Sequence, residues 1–210
     1  AHVVARDLKS RTGLPWVADF RDLWSENYDY RWGRLRKTLD RQIERTVLAH
    51  SQALVTVSEP LAVALKRLHS RPVTVIPNGF SPDEVSEPNH RLTRKFTLTY
   101  TGTLYAGKQD PSPLFEALSA LIACGRIDAE LLEVRFFGRN VDQPWLRAKV
   151  AACGLDRSVT LSGMVPRAES LERQRESQVL LALDWMDEQQ PGVYSGKIFE
   201  YLAALRPILC

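Results

Sequence analysis

The chain has 210 residues, 44% hydrophobic and 25% charged, a balance that places it among folded globular proteins and excludes a disordered or low-complexity chain. Its net charge of +3 is too small to argue for nucleic acid, and no apolar run approaches the ~18 residues that cross a bilayer. Cys124, Cys153 and Cys210 share no metal-ligand spacing, and an odd, unpaired set points to a reducing compartment, the cytoplasm. No signal-peptide pattern is present, and the start without Met and the end just after an apolar run are those expected of a piece of a longer protein.

Helix and strand alternate along the sequence. His2 to Arg11 reads as a helix, broken by Gly13-Leu14-Pro15 before the apolar stretch Trp16–Phe20. A long amphipathic helix is expected from about Leu35 to His50, with Leu35, Leu39, Ile43 and Val47 recurring at helical spacing. Ala53–Val57 reads as a buried strand, Ser58 as the cap of the next helix, and Val73–Ile76 as a strand ended by Pro77-Asn78-Gly79. Residues 81–94 are polar, carry Pro82 and Pro88, and lack periodicity; they are expected to be a linker. The alternation then restarts, with strands at Phe96–Tyr100, Leu132–Phe137, Val159–Leu161, Val179–Leu183 and Pro207–Leu209. Helices are expected around Pro113–Cys124, Trp145–Cys153, Arg167–Arg175 and Ser195–Ala204. Short apolar strands alternating with helices imply parallel sheets covered on both faces, so the fold class is α/β with two Rossmann-like units, at residues 1–80 and 95–210.

The most informative segment is Pro191 to Ala204. A glycine-containing loop runs into a helix whose first turn exposes free backbone N–H groups, and with the helix dipole these form an anion site. Ser195 and Gly196 lie at the helix start, Lys197 adds a cation in the same turn, and Glu200, about one turn on, can accept both hydroxyls of a ribose. An ordinary capped amphipathic helix with a solvated Lys and Glu accounts for the same residues. Gly102 to Lys108 fits the Gly-x4-Gly-Lys phosphate loop, and Val179–Leu183 followed by Asp184 imitates a magnesium-binding strand end. A nucleoside-triphosphatase, however, needs Ser or Thr after the Lys, where this chain has Gln109. Arg21 and Asp22 stand at a strand end, where parallel-sheet proteins place ligand groups, or form a structural ion pair. Tyr28 to Arg41 mixes aromatic and basic residues (Tyr28, Tyr30, Trp32, Arg31, Arg34, Arg36, Lys37, Arg41), which suits an anionic membrane interface as well as a solvated helix start. The four histidines show no metal spacing.

The run Ser195-Gly196-Lys197-Ile198-Phe199-Glu200-Tyr201-Leu202-Ala203-Ala204, followed by Arg206-Pro207-Ile208-Leu209, resembles the donor-site signature of glycosyltransferase family 4, in its bacterial surface-polysaccharide form. Tyr100-Thr101-Gly102-Thr103-Leu104, with Lys108 six residues after Gly102, is similar to the strand and loop that open the family's second domain. Phe136-Phe137-Gly138 and Val159–Gly163 resemble later strand ends. Pro15–Trp24, Val57-Ser58-Glu59 and Val75–Gly79 look like parts of the acceptor-side domain. Two positions depart: the family's common form has a Glu eight positions before Glu200, where this chain has Gly192, and often an Arg where it has Thr103.

The resemblance implies a retaining, GT-B-fold glycosyltransferase of hexosyltransferase type, acting in polysaccharide biosynthesis. It would move a sugar from a nucleoside-diphosphate sugar to a glycan, lipid-linked or small-molecule acceptor. Residues 1–80 would be the C-terminal part of the acceptor-side domain and 95–210 the donor domain, lacking its C-terminal end. Glu200 would bind the donor ribose, and Gly102, Thr103, Lys108, Ser195, Gly196 and Lys197 its diphosphate. Arg21 and Asp22 are acceptor-side candidates, and the family's catalytic-region His is expected upstream of these residues. No metal or other cofactor and no nucleic acid is expected. The expected location is the cytoplasm, with peripheral contact to the inner face of the membrane through residues 28–41. A non-catalytic nucleotide-sugar binding module and a sugar-nucleotide 2-epimerase are the alternatives, and a P-loop nucleoside-triphosphatase a more distant one.

Overall fold

A computed structural model describes residues 1–27, 30–85, 87, 91–183 and 196–210. They divide into two compact units that meet in the chain between Asn78 and Gly79.

The first unit runs α1 (His2–Thr12), β1 (Val17–Phe20), α2 (Arg34–Leu48), β2 (Ala53–Thr56), α3 (Glu59–His69) and β3 (Val73–Val75). The three strands form one parallel sheet in the order β1-β2-β3, with Phe20 opposite Thr56 and Thr56 opposite Val75. Gly13 closes α1 in the left-handed conformation (φ 72°), its N–H bonded to the Lys9 carbonyl, a geometry open to glycine at little cost. Ala18, Phe20, Leu54, Leu61, Leu65 and Val73 are the buried centre of the unit. Ser58 takes the N-cap position of α3 with an extended backbone, but its side chain makes no cap hydrogen bond.

Helix ends in this unit are tied by arginines. Arg71 donates to the carbonyls of Leu48 (2.8 Å) and Ser51 (2.8 Å), which satisfies groups that the end of α2 leaves open. Arg45 reaches from α2 to the Leu68 carbonyl near the end of α3 (3.1 Å).

The long helix is present, and most of its apolar stripe is not the buried face. Of Leu35, Leu39, Ile43 and Val47, only Val47 is buried; the other three are exposed. The face turned inward carries Asp40, Glu44, Val47 and Leu48. Two carboxylates can sit there because each has partners. Asp40 accepts from the Tyr30 hydroxyl (2.6 Å) and pairs with Arg36 (3.2 Å). Glu44 accepts from the Ser25 amide (2.9 Å) and meets His69 Nε2 at 3.2 Å.

The second unit runs β4 (Phe96–Thr101), α4 (Ser112–Ala123), β5 (Leu132–Phe137), α5 (Pro144–Ala152), β6 (Val159–Leu161), α6 (Arg167–Arg175), β7 (Val179–Leu181), α7 (Gly196–Ala203) and β8 (Ile208–Leu209). All its strands are parallel, in the order β6-β5-β4-β7-β8. The order reverses at β4, the kind of position where open α/β sheets bind ligands beyond their strand ends. Along β4 the two faces differ. Leu98 and Tyr100 enter the core with Phe115, Phe136 and Leu146, whereas Thr97, Thr99 and Thr101 are buried with their hydroxyls bonded. Thr99 meets Ser177 (2.7 Å) and Thr101 meets Gln174 on α6 (2.8 Å).

Within 81–94, expected as a linker, the described residues contain a short 3₁₀ turn at Pro82–Glu84 and are fastened to the second unit. The Glu84 carboxylate pairs with Arg167, Arg175 donates to the Glu84 carbonyl (3.0 Å), and the Thr93 amide donates to the Glu176 carbonyl (2.9 Å).

The Glu44 arrangement gives a stability test. Glu44→Ala strands the Ser25 amide and the His69 ring inside the first unit, and loss of a buried charged partner costs about 2–4 kcal/mol. Urea unfolding followed by circular dichroism is expected to show that loss; a variant within a few tenths of a kcal/mol of wild type means the pair is not a brace.

Candidate donor site

Three glycines close three adjacent strands of the second unit: Gly102 after β4, Gly138 after β5 and Gly163 two residues beyond β6. Their backbones are linked, with the Gly102 amide donating to the Phe137 carbonyl (2.9 Å) and the Gly138 amide to the Gly163 carbonyl (2.6 Å). Gly138 has φ 134°, and a Cβ there would lie 1.9 Å from the Gly102 carbonyl oxygen. Only a residue without a side chain lets these strand ends approach so closely.

Above them lies a cavity of about 290 Å³. Gly102, Thr103, Gly138, Arg139 and Arg167 line it from the strand ends and α6, Lys197 and Glu200 from α7. Lys197 and Glu200 come together by helical spacing, with Nζ 2.9 Å from Oε2. The first residue of α6 completes the set: Arg167 pairs with Glu200 Oε1 at 2.9 Å and also with Glu84. Gln174, fully buried two turns along α6, donates Nε2 to both Thr101 Oγ1 (2.8 Å) and Glu200 Oε2 (3.3 Å). Next to Glu200, the buried Tyr201 hydroxyl accepts from the Thr101 amide (2.9 Å), fixing α7 to the end of β4. Burial pushes the Tyr201 phenol up to about 12, so it stays protonated.

Burial alone would raise the Glu200 carboxyl. Hydrogen bonds and charge from Lys197, with bonds from Arg167 and Gln174, outweigh that and hold it below the ordinary carboxylate range. The site therefore presents an ionised carboxylate and several cations to one cavity at the strand ends, which suits a ligand carrying both hydroxyls and phosphates.

Of the residues expected to form the site, Gly102, Thr103, Lys197 and Glu200 line this cavity, and Gly196 begins α7. Lys108 is not among the lining residues; it lies on the loop between β4 and α4, its amide donating to the Tyr105 carbonyl (3.0 Å). Ser195, Gly192 and Asp184 fall outside the described residues. Beside Lys108, Gln109 is buried and donates to the Leu183 carbonyl (2.6 Å), and α4 begins only at Ser112. A phosphate loop that enters its helix directly after the Lys is thus not formed here. In the first unit, Arg21 follows the end of β1 and donates to Asn78 Oδ1 beyond β3, with Asp22 exposed beside it. Sequence reasoning did not single out Arg139, Arg167, Gln174 or Tyr201. Among the described residues, no three His, Cys, Asp or Glu side chains are grouped to hold a metal ion, and no helix is long and apolar enough to cross a membrane.

Residues 1–79 match the family described as Glycosyl transferase 4-like domain. Across 99% of its length the chain is similar to HepE of Anabaena, crystallised with UDP-glucose, with a TM-score of 0.69 and 14% identity. The fold is that of the GT-B glycosyltransferases. A GT-B-like match of the same TM-score, 0.69, is found to a glycosyltransferase of Rickettsia africae, at 12% identity over 97% of the chain. Sucrose-phosphate synthase of Thermosynechococcus elongatus gives a TM-score of 0.61 at 14% identity over 99%. The chain spans about half of these proteins: 56%, 53% and 52% of their lengths. No curated protein sequence matches it significantly.

The glycine contact is testable. Gly138→Ala adds a Cβ where backbone already stands, at a φ that side chains rarely adopt. Strain and overpacking together are expected to destabilise the second unit by about 2–5 kcal/mol, read as a lower denaturation midpoint. A variant as stable as wild type would mean that the strand ends are not packed this closely.

Proposed function

We propose that the chain belongs to a retaining glycosyltransferase, moving a hexosyl group from a nucleoside-diphosphate sugar to a glycan, lipid-linked or small-molecule acceptor. The observation that carries the reading is the ionised Glu200 carboxylate, held between Lys197 and Arg167 at the cavity beyond the strand ends. A HepE crystal with UDP-glucose, in a protein of the same fold, supports the donor class.

In this reading Glu200 accepts the ribose hydroxyls. The N-terminal amides of α7, Gly102 and Thr103 meet the diphosphate, with Ser195 assigned there by resemblance alone. Lys197 and Arg139 supply positive charge, and Arg139 stands beside Thr103, where the family often has Arg. As the bond from sugar to diphosphate breaks, negative charge grows on the leaving oxygens. Lys197 and the helix terminus stabilise that charge more in the transition state than in the ground state. Lys108 joins them only if its loop turns toward the donor. Arg21 and Asp22 remain the acceptor-side candidates. No metal is required where cations and a helix dipole do this work.

The test is a titration of wild type and variants with UDP, GDP and ADP, alongside transfer rates with and without EDTA. Glu200→Gln removes charge-assisted hydrogen bonds of about 1.5–3 kcal/mol and is expected to weaken nucleotide binding by roughly ten- to hundredfold. Gln is nearly as good a helix former, so α7 persists. Lys197→Ala is expected to lower transfer more than binding, and EDTA to leave transfer unchanged. Unaltered binding by Glu200→Gln would remove the donor assignment; donor binding with no transfer to any acceptor would favour a binding module. Magnesium-dependent ATP hydrolysis, lost with Lys108→Ala and indifferent to Glu200, would mark a nucleoside-triphosphatase instead.

A further inference from the structure

The outer face of α2 is the feature of the first unit that its own packing does not use. Leu35, Leu39 and Ile43 recur every four residues along it, at 86%, 61% and 46% exposure, and Trp32, just before the helix, is 71% exposed. Arg34, Arg41 and Arg45 form a neighbouring stripe on the same helix. Beside that stripe, α2 and α3 enclose an open groove of about 600 Å³ lined by Arg41, Arg45 and Arg67, with Val63, Ala64 and Leu68 as its apolar wall. Glu26 is the one acidic residue in that lining, and it is committed to Arg41 and Lys37.

The cations of this face differ in what they are free to bind. Arg36 is paired with Asp40, and Lys37 and Arg41 with Glu26, so three of the basic residues picked from sequence between 28 and 41 already hold carboxylates of the chain. Arg34, Arg45 and Arg67 have no carboxylate partner among the described residues, and Arg45 spends only its Nε, on the Leu68 carbonyl. A helix lying in a membrane interface has this composition: an exposed apolar stripe, an aromatic ring at its start, and guanidinium groups alongside.

We propose that the outer face of α2, with the adjoining arginine groove, docks on an anionic phospholipid surface. The leucine–isoleucine stripe enters the headgroup boundary, and Arg34, Arg45 and Arg67 meet lipid phosphates. Charge complementarity selects this occupant over a neutral apolar partner, because the stripe is bordered by guanidinium groups that an apolar partner would bury unpaired. The inference does not depend on the donor-site reading.

The experiment is co-sedimentation of the protein with phosphatidylcholine vesicles, with and without phosphatidylglycerol. Binding is expected only to the anionic vesicles and is expected to fall with salt. Each surface cation contributes about fivefold, so Arg45→Ser with Arg67→Ser should lower vesicle affinity by roughly thirtyfold. Leu39→Ser with Ile43→Ser should also release the protein; both positions are exposed, so the helix is expected to keep its circular dichroism. Nucleotide binding is expected to be unchanged in both variants, which separates failure here from failure of the donor assignment. Three results would each overturn the proposal: equal binding to neutral vesicles, wild-type vesicle affinity in either double variant, or a stripe variant that changes only the oligomeric state. Loss of vesicle binding to free glycerol phosphate, with the stripe variant still bound, would also overturn it, in favour of a soluble phosphate ligand.

Discussion

The second unit is organised around one requirement: the Glu200 carboxylate, half-buried on α7, must remain ionised. Withdrawal from water opposes that, so the surrounding elements have to bring hydrogen-bond donors to it. Lys197 does so from one turn earlier on the same helix. Arg167 and Gln174 do so from α6, which fixes where that helix lies. The same Gln174 amide holds Thr101, and the Thr101 amide is taken by Tyr201. That last bond is available because β7 pairs with β4 only at Leu98 and Thr99, leaving the end of β4 open on that side. A carboxylate, two helices and a strand end thus constrain one another, and the burial of Thr101 at the end of β4 is explained by the same contacts.

How much of this was legible in the sequence depends on whether the information is local. Strand ends were, because glycine closes β4 and β5 directly and the apolar runs before them are short and bounded. Lys197 and Glu200 were, because a three-residue separation on a helix places side chains on one face. Arg167 and Gln174 were not: they stand 33 and 26 residues from Glu200, and only the packing of α6 against β4 brings them to it. Arg139 was hidden for a related reason. Its place at the cavity follows from the Gly138–Gly102 contact across two strands, which no spacing within either segment encodes.

The first unit shows a different limit, in which a clear local pattern marks a face without giving its direction. Leu35, Leu39, Ile43 and Val47 satisfy the helical period, and the period alone says they share a face, not which way the face turns. The inward direction was decided by partners. Tyr30 and Arg36 wait for Asp40, while the Ser25 amide and His69 wait for Glu44, and turning the leucines inward would leave these groups without their carboxylates. An unpaired buried donor costs more than an exposed leucine. Hydrogen-bond satisfaction therefore overrode hydrophobic patterning, and an apolar stripe was left outside.

The proposed donor site must also hold a carboxylate near a diphosphate without the two repelling each other. At separations of a few ångströms, in a cavity partly screened from water, like charges disfavour one another strongly. The arrangement around Glu200 answers this in advance of any ligand. Lys197 and Arg167 each have one carboxylate oxygen of Glu200 as partner, and each also lines the cavity, so a phosphate entering there meets cations already oriented and a carboxylate already compensated. The lysine then needs only to share its charge between Glu200 and the incoming oxygens, with no change in the helix that carries it. On this view the lowered pKa of Glu200 and the proposed affinity for a diphosphate have one cause, the placement of two cations against a single carboxylate.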